Sequence, residues 1–91
     1  MLRNFVSASF EKLKTYLSDR QRAYQLTFSQ EHAKAVLEDL AKFCRANQST
    51  FHQDARIHAV LEGRREVYLR IKEHLDLSPE SFLARYGGPG E

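Results

Sequence analysis

Four histidines, one cysteine and an adjacent pair of arginines are the residues of this chain whose types could do chemistry. His58 and Glu62 stand at i,i+4 spacing on what is expected to be the solvent side of a helix, where two ligands could approach one metal ion. His32, His52 and His74 bring no second His or Cys to a ligand spacing nearby, so the histidines are expected to be structural or surface residues, with no metal or other cofactor. Cys44 falls on an apolar helical stripe, where a thiol ordinarily serves as a small buried hydrophobe. No Ser-His-Asp pattern, glycine-rich phosphate loop or segregated carboxylate pair accompanies these residues, so no catalytic residue is expected and the protein is not read as an enzyme.

The arginines carry more. Asp54 to Leu75 is a strongly periodic helix in which Ile57, Val60, Leu61, Val67, Tyr68, Ile71 and Leu75 recur on one face. Arg64 lies in the middle of that stripe. A charge at the centre of an apolar seam must be paired, or must face a partner instead of its own core. Arg65 is expected to point to solvent. Arg65 and Arg70, with Lys12, Lys14, Arg20 and Arg22 of the first helix, are the candidate nucleic-acid contacts. Glu62, Glu66, Glu73 and Asp76 interleave with the basic residues of the third helix, a pattern typical of a solvated, salt-bridged surface. A helix that reads DNA normally clears such acids from its groove side. Protein binding is therefore favoured over DNA binding.

The elements that position these residues are helices. A chain of 91 residues with 42% hydrophobic and 29% charged residues has the size and composition of one soluble helical domain. The expected architecture is all-α: a small bundle of three main helices, a short C-terminal helix and a mobile Gly/Pro tail. Residues 1–24 form an amphipathic basic helix that can act as a docking arm, 25–77 a core helical hairpin, and 78–91 the short helix and tail. The net charge of +2 is small, but Arg3, Lys12, Lys14, Arg20 and Arg22 outnumber Glu11 and Asp19 in the first helix. Phe5, Phe10 and Tyr16 widen its Leu2, Val6, Leu13, Leu17, Tyr24 stripe, which suits contact with two neighbours, one of them another chain. The same features would serve an interfacial membrane helix, although such stripes far more often pack against protein.

Ser29 or Thr27 is expected to cap the second helix. Its stripe of Ala33, Val36, Leu37, Leu40, Phe43 and Cys44 runs to about Ala46, with Glu38 and Lys42 paired on the outside. Asp54 is the expected N-cap of the third helix, with Phe51 packed beneath the turn. Gly63, costly in an exposed helix interior, marks a close helix crossing. Ser78-Pro79 opens the last helix, Glu80 to Tyr86. The single cysteine leaves no internal disulfide. No apolar run approaches the roughly 20 residues of a membrane span, and Glu11 and Lys12 interrupt any signal-peptide core. These features place the protein in the cytoplasm or in a particle assembled there, and not among secreted proteins.

From Tyr24 onward the order YQLTF, AVLEDLAKF, a loop with Phe51 and Asp54, then LEGRREVYLRI resembles a family of small tailed-bacteriophage proteins named after a hypothetical protein of a Bordetella phage. The resemblance covers Tyr24 to Leu75, and Glu62-Gly63-Arg64-Arg65 is its most distinctive element. It implies a phage product whose gene lies among those for packaging and for head or portal assembly, located in the virion or the bacterial host cytoplasm. It also gives Gly63, Arg64 and Arg65 a shared reason to occur together, close helix packing beside a fixed guanidinium. Arg64 would take a bidentate carboxylate partner, Asp39 or Glu38 of the same fold or one from another subunit. The expected function is that of a structural or assembly protein binding portal or capsid proteins, or a second copy, through Phe5, Phe10, Tyr16 and Arg64. A DNA-associated phage protein and an inhibitor that blocks a host enzyme are the alternatives.

Overall fold

The computed structural model describes the backbone of residues 2–88 and the side chains of residues 9–88. Four helices follow one another: α1 (Leu2–Thr27), α2 (Ala33–Phe43), α3 (Ala55–Asp76) and α4 (Pro79–Tyr86). The all-α expectation holds, and no strand occurs among the described residues. The expected Gly/Pro tail beyond Gly88 lies outside them.

Local chemistry explains most of the boundaries. The Asp54 carboxylate accepts from the backbone N–H groups of Arg56 (2.8 Å) and Ile57 (3.3 Å), satisfying two of the orphan donors that open α3. Ser78 Oγ accepts from Ser81 N–H at 3.2 Å, with Pro79 at the first helical position of α4. The end of α2 is a Schellman motif. Ala46 N–H reaches Ala41 C=O at 2.9 Å and Arg45 N–H reaches Lys42 C=O at 3.2 Å. Arg45 takes the left-handed position of that motif, φ 53°, where glycine is the usual occupant.

Several local expectations are corrected. The first helix extends to Thr27, one turn past Tyr24, so neither Thr27 nor Ser29 caps α2; Ser29 Oγ instead donates back to Leu26 C=O. The N-cap of α2 is His32, whose side chain makes no capping bond. Among the described residues Glu38 and Lys42 form no ion pair, whereas Lys72 and Asp76 do, at i,i+4 spacing and 3.2 Å on α3. Phe51 does not pack beneath the α3 turn but stands 72% exposed, tilted beside His58.

The tightest packing also lies away from the α2–α3 hairpin expected to form the core. Leu17 of α1 and Phe82 and Tyr86 of α4 make the buried cluster, flanked by Leu77 and Leu83. α1 runs antiparallel to the end of α3, with Tyr24 beside His74 and Gln21 Nε2 donating to Leu77 C=O at 2.8 Å. The hairpin contributes a thinner layer of Ala33, Cys44 and Leu61. The molecule is a plate of 55 × 36 × 16 Å.

Candidate functional site

Two regions of this plate hold the residues singled out by their chemistry. The first is the junction of α1, α3 and α4, centred on His74. Its ring is fully enclosed, 0% exposed. Tyr24 stacks on one side with centroids 3.9 Å apart, Phe82 meets it edge-on at 4.8 Å, and Tyr86 lies at 5.1 Å. Both ring nitrogens are committed. Arg20 Nε donates to Nε2 at 3.1 Å, which requires an unprotonated Nε2, so Nδ1 carries the proton and donates to Arg70 C=O at 2.7 Å. Burial pushes the imidazole pKa below its ordinary 6.5, and the Arg20 and Arg70 charges push the same way. His74 is thus a neutral imidazole held inside the junction by ring packing and two hydrogen bonds.

The same junction gathers three guanidinium groups on one ring. Arg20, Arg70 and Arg85 lie 5.1, 5.4 and 5.7 Å from the Tyr86 centroid. Glu73 sits among them, accepting from Tyr86 Oη at 3.0 Å and from Arg85 Nε at 3.1 Å. Burial raises the Tyr86 phenol above its ordinary 10.0, reinforced by the Glu73 hydrogen bond. Sequence reasoning missed His74 and Gln21 as core residues because polar side chains were not scored on the apolar stripe. The available signal was position, since His74 stands one turn after Ile71 and beside Leu75, both half-buried apolar residues.

The second region is the exposed side of the α2–α3 hairpin. Here the expected roles of Arg64 and Arg65 are reversed. Arg64 is exposed, with its guanidinium over the Phe43 ring at 4.6 Å and no carboxylate partner within ion-pair distance among the described residues. Arg65, expected in solvent, is half-buried, and its Nε is enclosed without a hydrogen-bond partner. The reason is a rotation of α3. Leu61 is buried and Arg65, Tyr68, Lys72 and Leu75 are half-buried, whereas Ile57, Val60 and Val67 are 43%, 52% and 62% exposed. His58, expected on the solvent side, is half-buried, with Nδ1 3.0 Å from Thr50 C=O, and so ties the α2–α3 loop to α3. A Cβ built on Gly63 would touch nothing within 4 Å, so the close helix crossing expected there is absent within the chain.

Of the expected interface residues, Phe10 and Tyr16 are exposed on α1, and the side chain of Phe5 lies outside the described residues. Arg64 is on α3, with its guanidinium over Phe43 of α2, and so is not on the α1 face that carries Phe10 and Tyr16. Of the expected nucleic-acid contacts, Lys12, Lys14 and Arg22 are exposed along α1, and Arg20 and Arg70 come together at Tyr86. Among the described residues no group of three or more His, Cys, Asp or Glu side chains could hold a metal ion, and no helix is long and apolar enough to cross a membrane.

The region from α1's last turn through α4 is also the unit that known proteins share. The family model described as Bbp19-like phage protein matches residues 24–85, about two thirds of the chain. The chain belongs to this phage family. The match extends the resemblance seen from Tyr24 to Leu75 through Ser78, Phe82 and Leu83, and so takes in α4 and the helical face that closes over His74. No curated protein and no solved structure matches the chain significantly. As a Bbp19-like protein it carries in its family segment α2, α3 and all of α4 but Tyr86, while most of α1 lies before that segment.

Proposed function

We propose that this Bbp19-like protein is a non-enzymatic component of phage assembly that works by binding protein, with portal or capsid proteins as its expected partners. One observation carries the reading. Phe43, Phe51, Ile57, Val60 and Val67 leave the hairpin side of the plate apolar and uncovered, while the exposed Phe10, Leu13 and Tyr16 do the same for α1. Scattered exposed hydrophobes are ordinary, but contiguous ones on one helix face mark a binding surface. The α1 set lies outside the family segment and the α3 set inside it, which favours α3 as the surface that carries the binding.

A second reading, a DNA-associated phage protein, draws on the gathering of Arg20, Arg70 and Arg85 around Tyr86. Glu73, placed among those guanidiniums, opposes phosphate there. The experiment that separates the readings is quantitative detection of the protein in gradient-purified procapsids and virions of the phage that encodes it. A fixed copy number per particle, retained after DNA is removed, is the expected result. Exclusion from all particles, with stoichiometric recovery on a host enzyme instead, would establish the host-inhibitor alternative and overturn the assembly role. Release from particles on nuclease treatment would favour the DNA reading.

A further inference from the structure

The two nitrogens of the His74 ring face different helices. Nδ1 is bound at 2.7 Å to Arg70 C=O, one turn back on α3, whereas Nε2 accepts at 3.1 Å from Arg20 Nε of α1. A neutral imidazole has one donor and one acceptor, so the nitrogen that takes up a proton is the one turned toward α1. A guanidinium has donors and no acceptor. Arg20 therefore cannot answer an Nε2–H with a hydrogen bond, while the Nδ1–H bond to Arg70 C=O survives protonation.

A proton on Nε2 would set two N–H groups and two positive charges against each other inside an enclosed ring site. The charged and titratable groups around that ring are Arg20 and Tyr24 of α1, Arg70 and Glu73 of α3, and Tyr86 of α4, on whose ring Arg85 also lies. Glu73 already accepts from Tyr86 Oη and Arg85 Nε. The face of Tyr24 attracts a cation, yet it stands on the same helix as Arg20 and cannot stay on the imidazolium without keeping that guanidinium there. Leu17, one turn before Arg20, packs with Phe82 and Tyr86 by apolar contact, which pH does not alter. It anchors α1 while the turns after it are free to lift, and the Gln21–Leu77 bond lies within the part that lifts. Burial and the neighbouring arginines hold the docked imidazole below its ordinary 6.5. Docking is thus complete above about pH 6.5 and is lost as pH falls below it.

We infer that His74 is an acid-operated clasp on α1: a proton on Nε2 unfastens the turns from Arg20 to Thr27 from the α3–α4 junction. Tyr24 opens the family segment and Arg20 precedes it, so the clasp joins the first helix to the array that the family shares.

Amide hydrogen exchange of the full chain from about pH 7.5 to about pH 5, corrected for the intrinsic effect of pH on exchange, tests the clasp, with His74 protonation followed by NMR. Protection of residues 20–27 is expected to fall at least about tenfold as His74 takes up its proton, while α3 and α4 keep theirs. In Arg20→Gln the side-chain amide is attached to Cδ as the arginine Nε is, and it can donate to a neutral Nε2 or accept from a protonated one. Its protection should stay level across the same range, as should that of His74→Phe, which has no nitrogen to protonate. Loss of protection in all the helices together would overturn the clasp in favour of general acid unfolding. So would a His74 that titrates while residues 20–27 stay protected, or an Arg20→Gln chain that opens to the same extent as the wild type.

Discussion

At its C-terminal end α3 is enclosed, with His74 buried and Ile71 and Leu75 half-buried, whereas at its N-terminal end Ile57, Val60 and Val67 stand in solvent. Both ends carry the same apolar period. The difference comes from what the chain can bring to each. The last turns of α1 and the whole of α4 fold over the C-terminal end, while α2 is only 11 residues long and covers one side of the rest. An amphipathic period therefore states that a face needs cover. It does not state whether the cover comes from the same chain.

The comparison breaks first at Phe82. Phe82→Ala empties the centre of the enclosed end and should lower the unfolding free energy by about 3–5 kcal/mol. Val67→Ala, in dilute solution, should change it by no more than about 0.5 kcal/mol. Urea titrations of the two variants at low protein concentration give the contrast directly; similar losses at both sites would mean that the N-terminal half of α3 is covered within the monomer.

Acid should act on the enclosed end alone. His74 faces Arg20 and Tyr24 of α1, Arg70 and Glu73 of α3, and Phe82 and Tyr86 of α4. Its folded pKa lies below the 6.5 of the unfolded chain, so below that value the unfolded state binds more protons. The stability due to the neutral imidazole is complete above about pH 6.5 and is lost progressively as pH falls below it. Melting temperatures followed through this window should fall for the wild type and stay flatter for His74→Phe, whatever that variant's absolute stability. Parallel curves would remove His74 as the source.

Smaller effects sharpen the orientation of α3. Arg65→Met keeps the stem and removes an enclosed, unpartnered N–H, so it should be neutral or stabilising by about 1 kcal/mol. Arg64→Ala should cost only about 0.5–1 kcal/mol, the value of an exposed contact between a guanidinium and an aromatic ring. A loss at Arg64 of several kcal/mol would restore the buried pairing that its place in the stripe suggested.

What was legible in the residues was what local chemistry determines. The helices, the Asp54 and Ser78 caps, the buried Cys44 and the family segment all follow from short-range pattern. The rotation of α3 was not legible, because its apolar residues span two adjoining faces. Leu61, Tyr68 and Leu75 belong to one, Ile57, Val60 and Val67 to the other, and a single stripe drawn through both puts Arg64 at its centre. Only the arrival of α2 and α1 decides which face is inside. Gln21 and His74 were hidden for a related reason: their burial depends on partners more than 50 residues away in sequence, Leu77 C=O and Arg20 Nε.

Amide hydrogen exchange along α3, measured at low protein concentration, tests the contrast most directly. At low concentration the amides near His74 should exchange most slowly, and those from Ile57 to Val67 distinctly faster. Equal protection of both halves would contradict the account.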